Sequence, residues 1–194
     1  MITVYGNMAR GISKIDQSEN KTSNPRAKNT FGHIIEIIEP EGDFASTRSR
    51  WEILVQCGDP TDPDVGATWN HETSENGWFG APDNCSIDPK GRLWVSTDGN
   101  EVTGANDGLW ALSTEGQERG TGRAFFRAPN GAEASGPRFT PDGKTIFLAI
   151  QHPGDGDGAS FENPSTRWPD FSRKMPPRPS VIAIRRMDGG LIGG

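Results

Sequence analysis

The amino-acid sequence predicts an all-β protein, and within that class part of a β-propeller. Three observations lead to this prediction. The 194 residues include 25 glycines and 15 prolines, about a fifth of the chain, which argues against a helical bundle or coiled coil. Short apolar segments recur between Gly- and Pro-rich turns, with almost no amphipathic helical pattern. A weak internal repeat, described next, favours a propeller over a sandwich or a barrel.

The repeat aligns the segment that begins at Pro89 with the segment that begins at Pro141. Each has a glycine two residues after the proline, followed by a basic residue that opens an apolar strand. Glycine at this place predicts a tight turn with positive φ. The offset of 52 residues is close to the repeat length of propeller blades that have long loops.

Strands are predicted along the whole chain. The first begins at the N-terminus and ends before Gly6-Asn7, and a polar stretch with a short helix around residues 12–20 follows it. Loop chemistry dominates residues 58–80, which are rich in Asp-Pro and Asn-Gly pairs. The other predicted strands lie at residues 31–38, 51–56, 84–87, 92–96, 108–112, 124–127, 135–139, 145–150 and 180–185.

These strands divide the chain into one whole blade and two partial ones. Residues 1–56 supply three strands of a first blade, 82–127 form a complete four-stranded blade, and 133–185 supply three strands of the next. About two and a half blades do not close a ring and would leave apolar sheet faces in water. We therefore expect the C-terminal portion of a larger, six-bladed propeller, or a chain that associates with another.

Charge and hydropathy exclude two classes of partner. Charged residues are 24% of the chain with a net charge of −6, and no basic face suited to nucleic acid stands out. The longest apolar runs have five or six residues, too few to span a bilayer. The N-terminus has no signal-peptide pattern, which predicts an unexported protein or a chain that starts inside a larger one. With two cysteines, Cys57 and Cys85, one disulfide is possible.

Three oxygen-bearing side chains are candidate calcium ligands. Asp83 and Asn84 enter a predicted inner strand shortly before Pro89, and Glu133 precedes Pro141 by a similar interval. Because inner strands of successive blades start around one central channel, these oxygens are expected to converge on an ion, and calcium takes six to eight oxygen ligands. The alternative is an Asx turn at Asp83-Asn84 and a solvated loop acid at Glu133.

Other polar residues receive a weaker interpretation. Glu36 lies among apolar neighbours in its strand, so its carboxylate needs a partner, and a cation would serve. Asp98 and Asp107 flank a loop rich in Gly and Asn and are read as solvated turn residues. His152 is read as the end of a strand, since the three histidines have no metal-ligand spacing.

A series of short motifs runs in order over nearly the whole chain. The first is the T-x-N-x-x-R-like stretch at residues 3–10. The others are NPR at 24–26, FGHIIE at 31–36, GDP at 58–60, PDN at 82–84, GRLW at 91–94, NDGL at 106–109, GAE at 131–133, GPRFTPDG at 136–143, QHPG at 151–154 and RPS at 178–180. In this order, the motifs resemble those of the PhoX-type alkaline phosphatases.

The resemblance implies a secreted or periplasmic propeller that carries calcium and ferric iron in its channel and hydrolyses phosphate monoesters. It supports Asp83, Asn84, Glu133 and Glu36 as metal ligands. It also implies that Asn7 and Arg10 bind the phosphate, since an amide and a guanidinium are directional donors to its oxygens. Only the C-terminal part of such a protein is covered, and the family's signal peptide and first blades have no counterpart.

The predicted function is therefore metal-assisted hydrolysis of small-molecule phosphate monoesters, with no nucleic-acid partner and no membrane span. The missing blades, or a second copy of the chain, are the expected protein partners. One alternative is a non-catalytic, calcium-stabilised propeller remnant that acts as a binding or structural module. A second alternative is a propeller esterase or lactonase that uses one calcium ion.

Overall fold

The computed structural model describes residues 2–5, 24–26, 29–40, 43 and 45–194. Within these ranges, ten strands form three antiparallel sheets. The helical elements of the same ranges include a four-residue helix, α1 (Asn100–Thr103), and a 3-10 turn at Gly116–Glu118. No helix in this part of the chain is both long and apolar enough to cross a membrane.

Each sheet is built from strands that are consecutive in the chain. The first sheet contains β1 (Ile2–Tyr5), β2 (His33–Ile38) and β3 (Arg50–Gln56). The middle sheet contains β4 (Pro82–Ile87), β5 (Leu93–Thr97), β6 (Gly108–Leu112) and β7 (Gly122–Arg127). The third sheet contains β8 (Glu133–Phe139), β9 (Thr145–Gln151) and β10 (Ser180–Arg185).

The observed strands start and end within two residues of the predicted positions. The two-residue differences fall at the starts of β2, β4, β7 and β8. β2 begins later than predicted, and the other three begin earlier, at Pro82, Gly122 and Glu133, which are residue types that strands disfavour. The predicted helix around residues 12–20 lies outside the described residues.

The middle sheet is covered on both faces. Alternate residues of β5 point to opposite sides, so that Val95 joins one apolar cluster and Trp94 the other. The first cluster brings in Ile34 and Val55 from the first sheet, and the second brings in Ile146 and Leu148 from the third sheet, among other residues. Burial of these two clusters holds the three sheets in series.

The two segments of the sequence repeat form equivalent hairpin turns. One turn joins β4 to β5 and the other joins β8 to β9, and their glycines, Gly91 and Gly143, have φ values of 80° and 66°. Both glycines donate their backbone N–H to the residue three positions earlier, Asp88 in one turn and Thr140 in the other. The repeat in the sequence therefore marks the same turn in successive sheets.

The middle sheet has two ends that differ in their chemistry. Its pairing places Pro82 opposite Thr97 and Gly108 opposite Arg127, and we call this the Asp83 end. The other end carries the β4–β5 turn and the β6–β7 connection, which contains Arg119. We call it the Arg119 end.

Candidate metal site

Glu133 is the first residue of β8 and is 9% exposed. Gln151, its register partner on β9, donates a hydrogen bond from Nε2 to Glu133 Oε1 at 2.6 Å. His152 follows directly, and its Nε2 lies 3.5 Å from Glu133 Oε2. The Glu133 carboxylate is thus held next to the Asp83 end by Gln151, the last residue of β9, and by His152, which follows it.

Burial and neighbouring carboxylates both oppose ionisation of Glu133. Burial raises the pKa of Glu133 to about 7, with further contributions from the charges of Asp98 and Asp83, while His152 acts in the opposite direction. Like charges disfavour ionisation of a buried carboxyl, and a bound cation would act against that effect. Asp83 and Glu133 thus share one electrostatic neighbourhood.

Asn84 links the two strands that carry these carboxylates. Its Oδ1 accepts hydrogen bonds from Ser135 Oγ at 2.5 Å and from the Gly136 backbone N–H at 2.9 Å. These contacts fix the position of β4 relative to β8 and so set the separation of Asp83 from Glu133. The amide oxygen of Asn84 therefore already has a structural role within the protein.

The donor set fits a hard cation such as calcium. Carboxylate and amide oxygens are the ligands that calcium prefers. Asp83 and Asn84 on β4 of the middle sheet and Glu133 on β8 of the third sheet supply them where these two strands begin. Within the part of the chain that the structure describes, no three His, Cys, Asp or Glu side chains are grouped closely enough to hold a metal by themselves. The role of these residues as metal ligands therefore stays a prediction, and it would need further ligands to complete the coordination sphere.

The prediction that Asp107 is a solvated turn residue was wrong, and the effect of the Asp98 charge on Glu133 was not predicted. Asp107 is 3% exposed, and its Oδ1 accepts hydrogen bonds from Thr97 Oγ1 at 2.6 Å and from the Gly99 N–H at 2.9 Å. It therefore organises the loop after β5 as a buried residue, not as a solvated one. Asp98 donates its backbone N–H to Ala81 O, and its charge acts on Glu133. The signal available in the sequence was the position of Asp98 two residues after the predicted apolar strand at residues 92–96.

Glu36 lies in a different setting from the other candidate ligands. Arg119 Nη2 is 2.7 Å from Glu36 Oε2 and 2.9 Å from Glu52 Oε1. A guanidinium thus supplies the partner that this carboxylate needs, at the Arg119 end of the middle sheet. The structure does not bring Glu36 to Asp83 and Glu133, and its role as a metal ligand stays a prediction.

The remaining predicted residues have mixed outcomes. Asn7 and Arg10, the candidate phosphate ligands, lie outside the described residues. His152 follows the end of β9, as expected, but its contact with Glu133 was not foreseen, because a lone histidine carries no spacing signal. Cys57 is buried and Cys85 is exposed, and the two thiols do not form a disulfide.

Three antiparallel sheets in series, with carboxylates gathered where the first strands of two sheets begin, define an all-β protein with a candidate cation site. Comparison with known proteins gives its family. Residues 2–154 match the family model described as alkaline phosphatase PhoX, so the chain belongs to this family, whose members are metal-dependent phosphatases. A comparison with curated proteins finds no match.

A solved structure gives the fold. Pseudomonas fluorescens PhoX in complex with vanadate, a transition state analogue, is 31% identical and superposes with a TM-score of 0.77. The match covers 97% of this chain and 31% of that chain, so the chain spans about a third of the length of that protein. The predicted fold class, an all-β propeller, and the resemblance to the PhoX family are both confirmed.

Proposed function

We propose that this chain forms part of a phosphatase that hydrolyses small-molecule phosphate monoesters with the help of bound calcium and ferric iron. The observation that carries the proposal is membership of the PhoX family over residues 2–154. It is supported by the interaction of the charges of Asp83 and Asp98 with Glu133. The phosphatase activity belongs to full-length relatives and is carried over to this chain, which spans about a third of the matched PhoX structure. A periplasmic or secreted location belongs to the same proposal.

In this proposal, Asp83, Glu133 and Asn84 hold calcium. Glu36, the other candidate ligand, is paired with Arg119 at the opposite end of the middle sheet and is not part of this group. Bound metal ions would polarise the phosphoryl oxygens and position the nucleophile. Gln151 orients the Glu133 carboxylate through its 2.6 Å hydrogen bond, and Asn84 keeps β4 against β8. Calcium is supported by the oxygen donors of Asp83, Glu133 and Asn84, whereas iron rests on the family resemblance alone.

Asn7 and Arg10 complete the proposal as the residues that bind the phosphate. Both follow β1, which pairs with β2 with Tyr5 opposite His33. A guanidinium can form two parallel hydrogen bonds to phosphate oxygens, and an amide adds a directional donor. Interactions of this kind stabilise charge that develops on the phosphoryl group in the transition state.

The test is hydrolysis of p-nitrophenyl phosphate by the purified chain with calcium and iron added. We expect activity that a calcium chelator abolishes and that Glu133→Gln lowers by about a hundredfold or more, because a ligand of a half-buried ion is lost. Glu75→Gln, at an exposed loop position, is the matched control and should retain full activity. Calcium binding without hydrolysis would instead indicate the non-catalytic propeller remnant, and activity only on a lactone would indicate the esterase.

A further inference from the structure

A second concave site lies on the face of the middle sheet that carries Trp110, next to the Asp83 end. Its volume is about 480 Å³, within the range of pockets that bind small organic molecules. Trp78, Phe79 and Trp110 supply its apolar lining, and Arg127 and Asn106 supply polar groups. None of the candidate metal ligands lines this pocket.

The aromatic lining is rigidly held. Phe79 lies against Trp110 with ring centroids 5.3 Å apart, and Trp69 packs edge-on against Phe79 at 4.9 Å. Trp110 Nε1 donates a hydrogen bond to Asn76 O at 3.1 Å, which ties the strand to the loop on the other side of the pocket. A lining that is fixed before a ligand arrives lowers the entropic cost of binding.

Arg127 provides a positive charge on this lining. Its guanidinium carbon lies 4.6 Å from the centre of the Trp110 ring, and its Nη1 donates to Asn106 O at 2.7 Å. The guanidinium has five N–H donors, and the bond to Asn106 uses one of them. Stacking on Trp110 and bonding to Asn106 therefore hold an orientable donor group at the edge of an aromatic surface.

Nearby carboxylates limit the charge that a ligand can carry. Asp107 is close enough to Arg127 for the two charges to interact, and Glu75 is an exposed member of the lining. Both carboxylates repel any anion, and they repel a dianion more strongly than a monoanion. Arg127 is the cationic side chain among the lining residues, and a single carboxylate is an anionic group that it can pair with.

We propose that this pocket binds a flat aromatic monocarboxylate, with its ring against Trp78, which is less buried than Trp110, and its carboxylate on Arg127. The site is separate from the Asp83–Glu133 group, and binding requires no metal ion. It would let an aromatic acid occupy the same end of the sheet as the candidate metal site without using its ligands.

The test is titration of the purified chain with 2-naphthoate by isothermal calorimetry, with and without EDTA. We expect saturable binding that EDTA leaves unchanged, and binding at least about tenfold weaker for 2-naphthalenemethanol, which lacks the charge, and for cyclohexanecarboxylate, which lacks the aromatic ring. Arg127→Gln should weaken 2-naphthoate binding by about tenfold. Arg123→Gln, on the same strand but outside the pocket lining, is the matched control and should bind as the wild type does.

Trp78→Leu tests the ring contact, and Trp78→Phe separates that contact from folding. We expect a loss of about tenfold for leucine and a partial recovery for phenylalanine, with both variants keeping the wild-type circular dichroism spectrum. Absence of saturable binding to the folded wild-type chain would overturn the proposal. Equal losses in Arg127→Gln and Arg123→Gln, or loss of binding in EDTA, would also overturn it.

Discussion

The two ends of the middle sheet use the same residue types in opposite ways. At the Arg119 end, the carboxylates have guanidinium partners: Glu36 and Glu52 meet Arg119, and Asp88 in the β4–β5 turn meets Arg92 at 2.7 Å. At the Asp83 end, Glu133 faces Asp83 and Asp98, and His152 lies beside it. Paired carboxylates stabilise a fold, whereas neighbouring carboxylates disfavour each other's ionisation, and a bound cation would offset that effect.

The pKa values show the same contrast. Burial opposes ionisation of Asp88, but hydrogen bonds from Trp94, Arg92 and the Lys90 backbone outweigh it, so the pKa of Asp88 is lowered. For Glu133, burial and neighbouring charges act together and raise the pKa to about 7. The ionised Asp88 at the Arg119 end therefore stabilises the fold, whereas ionisation of Glu133 at the Asp83 end destabilises it.

The largest effect is expected from Asp88→Ala. Asp88 Oδ2 accepts hydrogen bonds from Trp94 Nε1 at 2.9 Å and from Arg92 Nε at 2.7 Å, and the carboxylate side chain is 1% exposed. Removing it leaves buried donors without an acceptor, which costs about 3–5 kcal/mol of unfolding free energy. Urea unfolding measures this loss, and Asp142→Ala in the equivalent, exposed turn should cost far less. Equal losses at the two turns would contradict the contrast between them.

The next largest effect concerns calcium. If Asp83 and Glu133 bind the ion in the folded state alone, calcium at about 100 times its dissociation constant raises the unfolding free energy by about 2.7 kcal/mol. Thermal unfolding with calcium and with EDTA measures this difference, which Glu133→Gln should abolish. Glu52→Gln, a carboxylate at the Arg119 end, should retain it. Glu36→Gln decides whether Glu36 is a ligand, because only a ligand's loss would reduce the calcium effect.

A smaller effect is expected from acid. The folded pKa of Asp88 lies below its unfolded value of about 3.9, so its contribution to stability is complete above about pH 4. That contribution is lost as the pH falls through the folded pKa, because protonation weakens the hydrogen bonds to Arg92 and Trp94. Urea unfolding at pH 7 and pH 3 should show a smaller acid loss for Asp88→Asn than for the wild type. An equal loss would place the acid sensitivity in other residues.

The smallest effect is expected from Arg119→Gln. Its ion pairs with Glu36 and Glu52 are partly exposed, with the Glu52 side chain 51% exposed, and solvent screens such pairs. We expect a loss of about 1 kcal/mol or less in urea unfolding and no change in calcium binding. A change in calcium affinity would show that the two ends of the sheet are coupled.

Much of the fold could be predicted from the sequence because its signals are local. The Pro-x-Gly turns at Pro89 and Pro141 and the apolar runs between them depend on nearest neighbours, and the strand positions followed from these. The contact between β4 and β8 could not be predicted in this way. It depends on Asn84 bonding to Ser135 and Gly136, about 50 residues further along the chain.

The site was predictable only in part, for a similar reason. Asp83 and Glu133 stood out because they precede equivalent turns. Arg119 could not be assigned to Glu36 in advance, since an ion pair across two sheets leaves no spacing in the sequence. Asp107 was misread because a Gly- and Asn-rich loop suggests exposure, whereas this loop folds inward and uses the carboxylate to satisfy Thr97 and Gly99.

The bond that Asn84 makes to the neighbouring sheet has a consequence for how an ion would enter. A neutral amide keeps the two strands in place, so their alignment does not wait for the ion and is insensitive to pH over the range in which carboxylates titrate. Loading and unloading would then leave the sheets where they are, and the exchange rate would depend on dehydration of the ion and of the carboxylates. If Asp83 and Glu133 bind an ion, a fixed separation between their strands would favour selection by size, because the strands would not close around a smaller cation.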